Sequence, residues 1–171
     1  MNIIVMVDEN WAIGRDGDQF VRIKDDLKRF RTLTDNTILL YGRKTLTTFP
    51  GAKPLVGREN WLLSTTIREL KGARIFNDLE TCLTAIKEAE ANNQVVSCIG
   101  GSSVYEQFLP YAEKAYVTKV YAKYASTDRF FENLDEASDW EIVSESEIFT
   151  AGKCSEIKYK IVEYRRISCS N

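Results

Sequence analysis

Short apolar runs at residues 3–7, 37–41, 61–63, 73–76, 95–99 and 115–121 alternate with amphipathic stretches along the chain. Runs this short, rich in Ile, Val and Leu and with little internal alternation, predict strands, several of them buried on both faces. Between them, residues 24–34, 78–89 and 102–109 carry apolar positions at helical spacing, and Asp78 stands where an N-cap belongs. Alternation of strand and helix predicts a parallel sheet covered on both faces. The end of the chain has a different rhythm. Residues 140–145 and 156–164 alternate apolar with polar, which predicts two antiparallel strands at an edge, joined through Thr150-Ala151-Gly152-Lys153. Residues 1–171 are therefore expected to form a single α/β domain. Its central sheet is mixed, mostly parallel and twisted, with helices on both faces and a C-terminal antiparallel hairpin at the edge.

Composition narrows the chemistry. Lys and Arg number 23 against 25 Asp and Glu, a net charge of −2. That balance lacks the basic excess of a general nucleic-acid binder. The chain has no histidine, which removes the commonest metal ligand and general base and excludes a Ser-His-Asp triad. Cys82, Cys98, Cys154 and Cys169 show no CxxC spacing and read as free thiols of a reducing, cytoplasmic setting. Residues 1–8 read as a strand, not a signal peptide. No apolar run is long enough to span a membrane.

Four places carry candidate chemistry. The run 95–99 ends in Gly100-Gly101, and a helix starts at once with Ser102-Ser103-Val104-Tyr105. Glycines there let a backbone approach a ligand, and the free N–H groups of the new helix suit an anion such as phosphate. The same pair also suits a plain tight connection. In the first helix, Ile23, Leu27, Phe30 and Thr34 share one face and Asp26 falls inside that stripe. A carboxylate on a core-facing stripe must be bonded or used, and desolvation would raise its pKa. Alternatively Asp25 or Asp26 serves the helix dipole. Gly42-Arg43-Lys44-Thr45 follows the second run and could hold a phosphate, or present a solvated basic surface. Arg58, after Gly57, could clamp a carboxylate or form a surface ion pair. Leu63-Ser64-Thr65-Thr66 ends a further strand in hydroxyls that start turns or contact phosphates.

Taken in order, these pieces resemble dihydrofolate reductase over roughly residues 3 to 165. The matching motifs are Ile13-Gly14, Asp26-Leu27 with Phe30, Gly42-Arg43-Lys44-Thr45, Leu55-Val56-Gly57-Arg58, Ile99-Gly100-Gly101 with Val104-Tyr105, and Tyr116-Val117-Thr118. The resemblance implies that NADPH reduces dihydrofolate to tetrahydrofolate, with hydride delivered to carbon and a proton to the adjoining nitrogen. It implies that Asp26 holds the pterin and favours proton delivery through water, with Thr118 supporting it from the sheet. Val5 and Met6 would lie beside the pterin; Leu27, Phe30, Phe49 and Leu55 would line its apolar flank. Arg58 would take the carboxylate of the glutamate tail. Ile13, Gly14, Gly42, Arg43, Lys44, Thr45, Leu63, Ser64, Thr65 and the stretch Gly100, Gly101, Ser102, Ser103, Val104, Tyr105 match cofactor-contacting positions. Of these, Arg43 and Thr65 suit the 2′-phosphate, and Ile99 and Tyr105 the nicotinamide. The family carries a cis peptide between the paired glycines. A small-molecule substrate, a monomer, no nucleic acid and no membrane are implied as well, with a place in one-carbon metabolism as an antifolate target.

One departure stands out. Phe20-Val21 occupies the place of the family's usual Pro-Trp, in the loop after Ile13-Gly14, and Arg22 adds a cation at the cleft mouth. Leu46 likewise replaces a common tryptophan, for which a packing change is expected. Two other readings compete: a pyrimidine reductase of riboflavin synthesis, which needs neither Asp26 nor Arg58, and a non-catalytic dinucleotide-binding module.

Overall fold

In the computed structural model, which describes residues 1–15, 19–152 and 156–167, the apolar runs become the middle of one sheet. The strands are β1 (Asn2–Val7), β2 (Ala12–Gly14), β3 (Ile38–Gly42), β4 (Glu59–Leu63), β5 (Arg74–Phe76), β6 (Val96–Cys98), β7 (Lys114–Val120), β8 (Arg129–Phe130), β9 (Trp140–Glu145), β10 (Phe149–Thr150) and β11 (Lys158–Arg166). The helices are α1 (Lys24–Leu33), α2 (Arg43–Thr48), α3 (Leu79–Ala91) and α4 (Ser102–Phe108). Strand order is β10-β11-β7-β1-β6-β3-β4-β5, with β9 also on β11. From β7 to β5 every pairing is parallel; β11 runs antiparallel to β7, β9 and β10. The mixed sheet and its antiparallel edge are as the pattern predicts.

Period-2 alternation sorts the central strands between two cores. Ile38 and Leu40 of β3 join one cluster with Val5, Trp61, Val104 and the buried face of α3; Leu39 and Tyr41 join another with Leu46 and Leu62. α3 buries Cys82, Ala85, Ile86 and Ala89, spaced i, i+3, i+4 and i+7, against the sheet. Asp78 caps it, accepting from the Thr81 amide at 2.8 Å. Leu46 is buried in the second cluster. Cys82 and Cys98 are buried and unpaired. Cys154, Cys169, Lys153 and residues 16–18 lie outside the described residues.

Two features escape the periodicity because they are too short to show any. β2 pairs with β8 in a second, two-stranded sheet, and β10 adds two residues to the edge of β11. The turn that sends β1 into β2 is organised by Asp8, which is 2% exposed. Its Oδ1 accepts from the amides of Asn10 (2.8 Å) and Ala12 (2.9 Å), and its Oδ2 from that of Tyr124 (3.1 Å). One carboxylate thus ties the end of β1 to the segment after β7. Asp8→Ala strands all three donors and is expected to cost about 2–4 kcal/mol in chemical denaturation. An unchanged unfolding midpoint would show that water satisfies them.

Candidate active site

A cleft of about 840 Å³ opens at the carboxyl ends of the parallel strands, the usual place for a ligand in an open α/β sheet. Val5 and Met6 of β1, Ile13 and Gly14 of β2, Asp26, Leu27 and Phe30 of α1, and Lys44 and Thr45 of α2 line it. So do Phe49, Leu55, Arg58, Ile99, Gly101, Ser102, Tyr105 and Thr118. The structure thus gathers most of the sequence-selected residues around one cavity. The others lie outside its wall. Gly42, Gly100 and Val104 are buried beneath it, Leu63 is half-buried, and Arg43, Thr65 and Ser103 are exposed. Ser64 is buried and turns its hydroxyl to the chain itself, accepting from the Ile67 amide at 3.1 Å.

α1 explains why there is a cleft. Its apolar stripe is pinned only at the ends, where Ile23 is 2% and Thr34 0% exposed. Between them Leu27 is 46% exposed and Phe30 half-buried. The stripe expected to face the core instead lines the cleft, with Leu27 and Phe30 in its wall. Asp25 points to water and pairs with Lys28 at 2.9 Å. Asp26 points inward. Its Oδ1 accepts a 2.5 Å hydrogen bond from the Thr118 hydroxyl of β7, 92 positions away. Burial raises the Asp26 pKa above the ordinary carboxylate value of 3.8, while the Thr118 bond and the charge of Arg29 pull it down.

Arg58 stands at the other end of α1. Its Nε donates to the Thr34 hydroxyl at 2.9 Å, and Nη2 to the Arg31 carbonyl at 3.4 Å. The bends that carry Leu55 and Arg58 are stapled by Asn60, which is 3% exposed. Asn60 Nδ2 donates to the carbonyls of Leu55 (2.9 Å) and Arg58 (2.8 Å); its Oδ1 accepts from the Leu55 amide (3.1 Å) and the Tyr41 hydroxyl (3.0 Å). Phe49 packs edge-on against Tyr41 at 5.0 Å. Sequence reasoning passed over Asn60, although a lone amide inside an apolar strand signals a buried bond network.

At the opposite end the paired glycines are joined by a cis peptide. The Gly42 amide donates to the Gly100 carbonyl at 2.8 Å, and the amides of Val104 and Tyr105 donate to the Gly101 carbonyl at 2.9 Å. Gly100 has φ +97°, and a Cβ there would sit 2.7 Å from the Tyr105 ring. Tyr105 is itself fixed, its hydroxyl donating to the Ile4 carbonyl at 2.7 Å. A Cβ on Gly101 would meet only the Thr45 hydroxyl, at 3.6 Å, so this backbone is bare toward the cleft. Around it the cleft carries Arg15, Lys44, Arg129 and Ser102, a donor set suited to a phosphorylated dinucleotide.

The Phe20-Val21 departure also has a physical account. Phe20 stacks on Tyr124 with ring centroids 4.4 Å apart, and Val21 packs in the same cluster with Met6, Ile23, Val120 and Tyr159. The segment entering α1 is thereby anchored by an aromatic stack. Arg22 lines the cleft, as do Gln19, Arg29, Arg31 and Asp128, none of which periodicity distinguishes from surface charge.

This arrangement has close parallels. The family model described as dihydrofolate reductase matches residues 1–166. The Bacillus subtilis dihydrofolate reductase is 29% identical over 171 residues, spanning 99% of this chain and 96% of that protein. The Drosophila melanogaster dihydrofolate reductase is 39% identical over 145 residues, 76% and 78% of the two chains. Among solved structures, dihydrofolate reductase from Enterococcus faecalis, complexed with NADP(H) and RAB-propyl, superposes with a TM-score of 0.81. It is 26% identical and covers 96% of this chain and 95% of that one. With the family model spanning residues 1–166 and the Drosophila melanogaster enzyme 39% identical, the chain belongs to the dihydrofolate reductase family.

Proposed function

We propose that the protein catalyses NADPH-dependent reduction of 7,8-dihydrofolate to 5,6,7,8-tetrahydrofolate. The observation that carries this is Asp26, a half-buried carboxylate bonded to Thr118 in the wall of the large cleft, in a chain without histidine. Its Oδ1 is occupied by the Thr118 hydroxyl, which fixes the plane of the carboxylate. Paired donors of a pterin ring, an amino group beside a ring N–H, then meet a rigid acceptor. Burial raises the proton affinity of Asp26, so the carboxyl takes up a proton more readily than an ordinary carboxylate and favours its passage through water to the substrate nitrogen. Leu27, Phe30, Phe49 and Leu55 supply the apolar flank, and Val5 and Met6 the sheet side. Arg58, braced by Thr34 and the Arg31 carbonyl, offers its remaining fork to the carboxylate of the glutamate tail.

NADPH supplies the hydride when bound. Ile13, Gly14, Lys44, Thr45, Ile99, Gly101, Ser102 and Tyr105 would hold it along the glycine-turn end of the cleft. Arg43 and Thr65 are exposed just beyond the ends of the adjacent strands β3 and β4, which suits recognition of a 2′-phosphate outside the cleft. Gly42, Gly100 and Val104 shape the floor; Leu63, Ser64 and Ser103 complete the cofactor side. A pyrimidine reductase or a bare dinucleotide module would leave Asp26 and the braced Arg58 without a purpose. We further propose that the chain works as a single catalytic unit and as a cytoplasmic monomer, which the buried unpaired Cys82 and Cys98 fit. Tetrahydrofolate formation would place it in one-carbon metabolism and make its cleft a target for antifolates.

Asp26→Asn is expected to lower turnover about 10²–10⁴-fold at neutral pH, and less at low pH, where solvent protonates the substrate directly. Loss of reduced-nicotinamide absorbance with dihydrofolate measures this. A pH–rate profile equal to that of the parent would remove Asp26 from the role. The same substitution tests stability. Because burial lifts the folded-state pKa of Asp26 above 3.8, the folded chain binds the extra proton, and stability falls as pH rises through the window between the two values. Asp26→Asn is thus expected to raise the thermal midpoint at pH 7, with the gain vanishing as the pH drops below 3.8. Arg58→Leu is expected to weaken dihydrofolate binding about 10–100-fold with NADPH affinity unchanged. Equal loss of both in titration calorimetry would make Arg58 structural.

A further inference from the structure

Arg29 lies three residues after Asp26 on the same side of α1, and both line the cleft. Its guanidinium carbon sits 5.7 Å from the centre of the Tyr116 ring. Tyr116 precedes Thr118 by two residues on β7, so the two side chains project from the same face of the sheet. Helix and sheet are thus bridged twice, side by side: Asp26 to Thr118 by a hydrogen bond, Arg29 to Tyr116 by a cation over a ring. Among the described residues Arg29 forms no direct ion pair, so its charge acts through space on the groups around it. We infer that Arg29, held over Tyr116 one helical turn from Asp26, is a positioning residue whose fixed charge sets the pH range of turnover. This rests on the reading of Asp26 as the group that holds the proton.

The charged and titratable neighbours define the sign. On α1 they are Asp25, turned to solvent with Lys28, and Arg29. β7 contributes Tyr116, and β11 contributes Tyr159 and Glu163; Glu163 lies opposite Tyr116 in the sheet register. α4 contributes Tyr105, and the segment before α1 brings Arg22 into the same cleft. Of these, Arg29 is the cation that opposes the effect of burial on Asp26. A guanidinium stays protonated throughout the working range, so its charge is constant. It favours the ionised carboxylate, and its removal leaves burial less opposed. The alkaline limb of turnover, where Asp26 surrenders its proton, then moves to higher pH.

The test measures kcat/KM for dihydrofolate against pH in the parent, Arg29→Gln, Arg29→Lys, Asp26→Asn and the Asp26→Asn/Arg29→Gln pair. Arg29→Gln is expected to move the midpoint alkaline by about one pH unit. Arg29→Lys is expected to restore the parent midpoint, and Arg29→Gln to add no shift once Asp26 is Asn. Should Arg29→Gln not fold, Arg29→Met, which keeps apolar length over the ring, is read by the same criteria. A uniform fall in rate with an unmoved midpoint would make Arg29 merely structural and overturn the inference, as would a lysine variant that shifts like the glutamine. If Asp26→Asn keeps the parent profile, the Asp26 reading itself fails, a result distinct from an inert Arg29.

Discussion

One hydroxyl donated to one carboxylate holds the working part of this molecule together. Thr118 and Asp26 join the sheet to the first helix across 92 positions of chain, at a point where α1 contributes no buried residue of its own. The helix is buried only at its flanking residues Ile23 and Thr34, and between them it turns its inner face to the cleft. A carboxylate there would be costly if left alone. Bonded to a fixed hydroxyl, it becomes a rigid acceptor, and burial raises its proton affinity against the pull of that bond. The partly exposed Leu27 and half-buried Phe30 beside it are surfaces the chain leaves for something else to cover.

Stability and function meet where the packed cores reach the cleft wall. The two cores that sandwich β3 and the packing of α3 stabilise the sheet, and through Val5 and Tyr105 in one core and Phe49, Leu55 and Ile99 at the other they also form part of the cleft wall. The cleft is then built on ends and turns whose freedom has been removed one bond at a time. Asn60 fixes the backbone of Leu55 and Arg58, Tyr105 fills the space below Gly100 and bonds the Ile4 carbonyl, and Phe20 stacks on Tyr124 to secure the entry to α1. Placing catalytic groups on supports locked by buried hydrogen bonds and ring packing is what preorganisation requires.

Much of this was legible in the residues. The buried strands announced themselves as β-branched runs, α3 as an i, i+3, i+4, i+7 stripe with Asp78 before it, and the edge hairpin as strict alternation. Asp26 was visible because it interrupted an apolar stripe, and the paired glycines because they ended a strand. Arg58 was visible only through its motif. What stayed hidden shares a cause. β2 and β8 are too short for any period, the Asn60 amide marks a buried bond but not the Leu55 and Arg58 backbone it holds, and Arg29 looks like any charge on an amphipathic helix until Tyr116 is placed beneath it.

The sequence by itself determined most of the strands and helices, the mixed α/β class and the chemical types available, because local periodicity dictates which face of each element avoids water. By lacking histidine it also left a carboxylate as the natural group for proton chemistry. Only the tertiary structure decided that the α1 stripe would face a cavity instead of the core, that Thr118 would meet Asp26, and that a ring would lie under Arg29. Those outcomes depend on distances between residues far apart in the chain, and burial, hydrogen bonding and charge act on such distances, which a linear pattern does not contain.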